Sequence, residues 1–244
     1  MVKISRRMKR LASLVSEGAV LADVGTDHGY LPIYLLQAGR IRRAFALDIK
    51  EGPLLRAKEH IRAFGLEDYI TVRRSDGVAA LLAGEADSVL IAGMGGGTML
   101  HILEEGKEVI LAAKELILQP QSEISRVREY ICRNGYRIDR EDMVYEDGKY
   151  YPMLHVICKG CGDGFSCGDF SKQEWQMFLR YGKCLFDGGS GVLGQYLKDQ
   201  IKQYEAILES LSAQQKTEAV LKRREEILAE LTVARRAMAY HKEG

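Results

Sequence analysis

Net charge is almost absent from this chain. Its 244 residues carry 35 Lys and Arg against 34 Asp and Glu, a formal +1. No global field therefore singles out a polyanionic partner. A local one survives: Lys3, Arg6, Arg7, Lys9 and Arg10 crowd the first ten residues, as a solvated helix face or as a patch for phosphates. Long apolar runs are also missing. No stretch approaches the roughly 20 residues of a membrane span, and no run of signal length follows the basic start. A cytoplasmic protein without a membrane partner is expected. Cysteines are few and odd in number, five in all, mixed among helix and strand patterns, which argues for reduced thiols. Cys158-Lys-Gly-Cys161 has the form of a metal knuckle, with Cys167 close by, but a second knuckle and a histidine pair are lacking, so no metal is expected. The dinucleotide spacing Gly-x-Gly-x-x-Gly is absent too, which disfavours a nicotinamide oxidoreductase.

What is present suits one α/β domain with an appendage: 46% hydrophobic and 28% charged residues, both ordinary for a globular protein. Ile4, Met8, Leu11, Leu14 and Val15 recur at helical spacing over 4–17. The apolar run 19–24 predicts a buried strand, Gly25 ends it, and a helix follows from Tyr30 to about Gln37, with Pro32 tolerated in its first turn. Further strands are expected at 43–48, 69–74, 86–92 and 116–120. Helices are expected at 51–64 and 98–105, and at 123–133 with Ser122 as N-cap. Two last strands, 136–145 and 150–159, flank Asp147-Gly148, a hairpin signal. This alternation predicts a Rossmann-like, doubly wound seven-stranded sheet with one antiparallel strand at its end.

Composition shifts at Gly160–Gly168. The expected domains are 1–160, holding the sheet, and 169–244, which is helical. One helix is predicted over 171–185. After Gly188–Gly191, Leu197, Ile201, Tyr204, Leu208 and Leu211 repeat at spacings of four and three. Val220, Ile227, Leu231, Ala234 and Met238 continue the pattern, interrupted by Arg224. An antiparallel, coiled-coil-like helical hairpin is expected. The heptads could pair within one chain or between two; a monomer is the expectation.

Four strand ends are polar or glycine-rich: Asp23 to Gly29, Asp48, Ser75-Asp76-Gly77, and Gly93 to Gly97. In a doubly wound sheet they lie along one edge, where ligands bind. Asp27 in the opening loop would repel a diphosphate. S-adenosylmethionine has no phosphate and carries an ammonium and a sulfonium, which acids suit. Asp48, with Ile49 beside it, fits a ribose diol. Asp76 next to Gly77 fits the adenine amine. The cofactor-binding set is therefore Asp23, Gly25, Asp27, Gly29, Asp48, Ile49, Asp76, Gly77, Gly93, Met94 and Gly95. Each acid could instead be a turn former or helix cap.

Asp23-x-Gly25-x-x-x-Gly29 resembles the first motif of class I S-adenosylmethionine-dependent methyltransferases. The strings Ala22–Pro32, Ala46-Leu-Asp48 with Gly52-Pro53, Ala92–Gly96 and Leu116–Pro120 resemble the bacterial tRNA (adenine-22-N1)-methyltransferase family over the whole chain. The resemblance implies methyl transfer to N1 of an adenosine in the D-arm region of tRNA, and a coiled-coil domain at the C-terminus. The Asn/Asp-Pro-Pro-aromatic motif of many adenine N6 enzymes is missing; Gly93-Met94-Gly95-Gly96 stands there. N1 is already a nucleophile, so placement is the main task. Asp27 is the candidate for offsetting the charge that develops on the base, or for binding the cofactor ammonium. His28 is a candidate base contact or proton acceptor, or else a loop histidine hydrogen-bonded for structure. Tyr30 and Met94, with Tyr150 and Tyr151 behind them, are candidates for stacking a flipped base. Arg6, Arg7, Lys9, Arg10, Arg126 and Arg133 are candidate RNA contacts, joined by Arg128, Arg137 and the tail cluster Lys222, Arg223 and Arg224. A methyltransferase acting on a small molecule and a non-catalytic binding module are the competing readings.

Overall fold

The structure, a computed structural model, describes residues 1–158, 169–215 and 217–243. The chain divides into two compact units, Met1–Phe165 and Ser166–Gly244. The boundary expected at Gly160–Gly168 lies outside the described residues, as do Cys161 and Cys167.

The first unit is built on seven strands: β1 (Ala19–Val24), β2 (Ile41–Asp48), β3 (Ile70–Arg74), β4 (Ser88–Met94), β5 (Glu115–Pro120), β6 (Arg137–Glu146) and β7 (Lys149–Ile157). Their order in the sheet is β3-β2-β1-β4-β5-β7-β6. The first five pair in parallel, and β7 runs antiparallel to both neighbours. The antiparallel strand is thus not at the edge as expected. The hairpin folds back, so β7 inserts between β5 and β6. Asp147 (φ 49°) and Gly148 (φ 75°) form its turn, and two successive positive φ values match the right-handed twist of the strands.

Parallel strands covered on both faces need continuous apolar runs rather than alternation. Leu21, Ala22, Val24, Val89, Leu90, Ile91 and Leu116–Leu118 are each at most 3% exposed. The covering helices are α1 (Arg6–Leu14), α2 (Tyr30–Gln37), α3 (Glu51–Ala63), α4 (Gly96–Glu105), α5 (Lys107–Ala112) and α6 (Ile124–Arg133). From β1 the chain steps outward to β2 and β3; from β4 it steps the opposite way. Right-handed crossovers then put α2 and α3 on one face and α4 and α6 on the other. α1 joins the α2 side, where Leu11 shares a core with Leu31 and Ile33.

Two local expectations needed correction, and one helix is additional. The first helix begins after Ser5, whose hydroxyl accepts from Met8 N (3.3 Å), and ends at Leu14 rather than 17. Val15 is extended, and the Ser16 N–H is drawn to the Glu115 carboxylate (2.9 Å). Ser122 does not cap α6. Its hydroxyl accepts from the Gly96 N–H (3.2 Å) at the start of α4, and Glu123 (φ 50°) leads into α6 instead. α5 was not anticipated.

The second unit holds α7 (Lys172–Tyr181), α8 (Lys183–Asp187), α9 (Gly191–Ser212) and α10 (Glu218–Glu243). Ser171 and Glu174 form a capping box at the start of α7. The single helix expected over 171–185 is two, because Gly182 (φ 92°, ψ 115°) leaves the helical region. α9 and α10 are antiparallel: Gly194 near the start of α9 lies against His241 near the end of α10, and ten residues further along α9 Tyr204 Oη meets Glu230 (3.3 Å). Leu193, Leu197 and Tyr204 on α9, and Ile227, Leu231, Ala234 and Ala237 on α10, are buried. Ala237 takes a buried place that the heptad reading gave to Met238.

Candidate active site

The direction of winding reverses between β1 and β4, and a doubly wound sheet opens a crevice at that point. The register sets Val24 beside Leu47 on one side and Ile91 on the other. At the end of β1, Gly25 N and Thr26 N both donate to Leu47 O (2.8 and 2.9 Å), which folds the loop over β2. Gly25 has φ +75°, and a Cβ there would stand 2.2 Å from Met94 Cε. The positive φ favours glycine here, and the end of the Met94 side chain fills the place a Cβ would take. Asp27 follows, then His28 (φ 64°) and Gly29 (φ 67°), which caps α2.

A cleft of about 380 Å³ opens here. It takes Asp23, Gly25, Asp27, His28 and Tyr30 from the β1 end, Gly93 from β4, Gln121 after β5, and Arg7, Met8 and Leu11 from α1. Asp23 is 7% exposed and accepts from the Thr26 hydroxyl (2.6 Å). Burial pushes its carboxyl up to about 6; the Thr26 hydrogen bond opposes this, and the Asp48 charge adds to it. Asp27 is exposed at the rim, where its Oδ1 meets Arg56 Nη2 (3.2 Å) and His28 Nε2 (3.3 Å). The rings of His28, Tyr30 and His60 lie near parallel, with centroids 4.8 to 5.4 Å apart. His60 Nδ1 is 3.0 Å from the His28 carbonyl oxygen, so a proton there ties α3 to the strained residue of the loop.

The other expected positions sit on neighbouring strand ends and do not line this cleft. Asp48 closes β2 and uses Oδ1 to accept from Lys50 N (2.8 Å); Ile49 beside it is half exposed. Asp76 is exposed and borders a second cavity of about 230 Å³ with His101 and Glu105, and Gly77 abuts Ile102. Gly95 precedes α4.

The candidate RNA contacts are not brought together. Arg6, Lys9 and Arg10 are exposed on α1, and Arg10 pairs with Asp142. Arg126 and Arg133 are on α6, across the sheet, and pair with Glu123 and Glu129. Arg128 is buried against Glu141 (2.7 Å). In the second unit, Lys222, Arg223 and Arg224 are exposed. Arg7 departs from the surface. Its Nη1 donates to Gln119 Oε1 (2.9 Å), and its guanidinium lies 4.9 Å from the centre of the Tyr151 ring. Tyr150 packs on Tyr145 instead (4.6 Å).

Sequence reasoning missed Gln121, Arg56 and His60 at this site. Gln121 was within reach, since it follows a strand end as the other candidates do. Arg56 and His60 are ordinary members of a helix pattern, and nothing local marks them.

The arrangement is matched by known proteins. Residues 4–154 match the family model described as "Methyltransferase domain". The tRNA (adenine(22)-N(1))-methyltransferase of Bacillus subtilis is 40% identical over 153 residues, 63% of this chain and 64% of that protein. The aligned part is thus just under two thirds of that relative's length. The crystal structure of the Bacillus subtilis m1A22 tRNA methyltransferase TrmK is 31% identical, with a TM-score of 0.82 over 98% of this chain and 100% of the other. The chain belongs to the TrmK family of class I methyltransferases. Another structure of similar fold is that of Streptococcus pneumoniae Sp1610 in complex with S-adenosyl-L-methionine, 31% identical, with a TM-score of 0.82 over 97% and 100% of the two chains. The TrmK-family likeness in solved structures covers both units, whereas the family model and the sequence alignment cover about the first. Among the described residues no helix is long and apolar enough to cross a membrane, and no cluster of three His, Cys, Asp or Glu could hold a metal.

Proposed function

We propose that this chain transfers a methyl group from S-adenosylmethionine to N1 of adenosine 22 in the D-arm region of tRNA. The near full-length likeness to a structure named for that activity carries the reading. The site's chemistry supports it. Asp23 is a buried acid with a single hydroxyl donor, a setting that favours an incoming cation over a phosphate. The space left by the missing side chain of Gly25 is taken by the methyl of Met94, which brings the β1 loop and the end of β4 together. When bound, S-adenosylmethionine supplies an electrophilic methyl on a sulfonium.

The protein's part is then placement. Asp23 and Asp27 would hold the cationic end of the cofactor, and Asp48, Ile49, Asp76, Gly77 and the 93–95 turn its nucleoside. His28 and Tyr30, held by His60, would form a flat floor for an unpaired adenine. N1 lies on the Watson–Crick edge, so the base must leave its stack to reach the cleft. Asp27, at the rim and paired with Arg56, would also offset positive charge developing on the base. No side chain has to remove a proton before N1 attacks. The exposed cations of α1 and the helical unit would hold the RNA backbone.

The test is direct. The protein is incubated with radiolabelled S-adenosylmethionine and unmethylated bacterial tRNA, and the labelled nucleoside is mapped. Label in 1-methyladenosine at position 22 is expected. An unlabelled tRNA, from protein shown to bind the cofactor, would overturn the reading.

A further inference from the structure

We infer that Gln121 reads the acceptor base, gripping the N6/N7 edge of adenine while N1 faces the methyl donor; this rests on the function proposed above. Two glutamines flank Pro120 and have opposite fates. Gln119 is fully buried and its carbonyl oxygen is taken by Arg7 (2.9 Å). Gln121 is exposed, lines the cleft, and its side-chain amide makes no hydrogen bond among the described residues. Its backbone is nevertheless fixed, because its N–H donates to Met94 O (2.8 Å). The side chain reaches over Gly93: its Nε2 and the Arg7 Nη1 each lie 3.8 Å from where a Cβ on Gly93 would stand. Gly93 has no side chain to fill that space. Two polar groups thus converge on an open floor at the end of β4.

The chemistry of the converging groups selects the ligand. A carboxamide offers one donor and one acceptor side by side. Adenine matches this with N7 as acceptor and the N6 amine as donor, on the edge away from the sugar. Guanine presents two acceptors there and leaves the amide oxygen unsatisfied. A grip on that edge leaves the N1 lone pair free. The acids opposite, Asp23 and Asp27, cannot supply a donor to N7 when ionised. Arg7 can donate but is already held by Gln119 and the Tyr151 face.

The test uses the full chain and tRNA carrying either adenosine or 7-deazaadenosine at position 22. The deaza base replaces the N7 acceptor with C–H. For the wild type, we expect kcat/KM on the deaza substrate to fall about 5- to 150-fold, the range of one bidentate base contact. Gln121→Ala should lose a similar factor on adenosine, lose nothing more on the deaza base, and bind S-adenosylmethionine as the wild type does. Gln121→Glu is the sharper probe. Its carboxylate still accepts from N6 but opposes the N7 lone pair, so it should prefer the deaza substrate. A deaza penalty of equal size in wild type and Gln121→Ala would overturn the inference, as would no penalty in the wild type. A wild type inactive on the adenosine tRNA would instead refute the function proposed above and remove the basis of this inference with it.

Discussion

Asp23 carries a cost that its position explains. Its raised pKa means the folded protein binds a proton more readily than the unfolded chain between pH 3.8 and about 6. Stability from this group is therefore full below pH 3.8 and is lost as pH rises through 6. At pH 8 the ionised, buried carboxylate costs on the order of 1–3 kcal/mol. Asp23→Asn keeps the acceptor for Thr26 and removes the charge. It should raise the melting temperature of the free protein at pH 8, leave it nearly unchanged at pH 4, and weaken S-adenosylmethionine binding by roughly tenfold or more, in the range of a charge-assisted hydrogen bond. Melting curves at the two pH values, with calorimetric titration of the cofactor, check all three. A variant that binds the cofactor as tightly as the parent would remove Asp23 from the site. The neighbouring strain has the same logic. His28 adopts a backbone conformation uncommon outside glycine, and the His60 ring holds it there, as expected where surrounding packing over-determines a functional loop.

Among the elements, the end of α1 is secured far from the cleft. Glu115 opens β5 and is 3% exposed. It receives Ser16 from the end of α1 and His155 from β7 (2.8 Å), and His155 also faces Asp139 of β6 (3.4 Å). Burial alone would raise the Glu115 carboxyl, but hydrogen bonds from His155 and Ser16 outweigh it and hold the pKa at about 2. The sign is opposite to that of Asp23. This stabilisation is full above pH 4.5 and is lost as pH falls towards 2. Glu115→Gln should lower unfolding free energy at pH 7 by roughly 1–3 kcal/mol and by much less at pH 2. Urea denaturation at both pH values measures the difference. Because α1 delivers Arg7, Met8 and Leu11 to the cleft, the variant should also lose methylation rate before it unfolds.

Across the whole molecule, the helical unit has its own core, which sets where it can be cut. Tyr240 of α10 packs against Phe178 of α7 (5.5 Å) and Phe186 of α8 (5.2 Å), so removing only 188–244 would strip the cover from both. Removing 169–244 takes the unit away whole. That form should bind S-adenosylmethionine with near-normal affinity and tRNA more weakly, by filter binding at fixed salt. Equal tRNA binding would refute a clamping role for these helices. The strands and the Gly25 turn were legible because their signals are local: apolar runs, glycines and terminal acids within a few residues. The break at Gly182 was not, since apolar spacing continues through it. Nor was the fate of Arg7, whose partner Gln119 is 112 residues away; only the packing of α1 turns that cation from the basic surface into the cleft. The insertion of β7 was equally hidden, because a hairpin signal fixes a turn but not which strand faces the sheet. That insertion also bears on biosynthesis. On the ribosome, β5 emerges well before residues 149–157, and until they follow, Leu116–Leu118 has an unpaired backbone edge on its outer side. Nascent chains halted short of Ile157 would present an adhesive apolar strand, so this interval is one in which a chaperone would protect the chain.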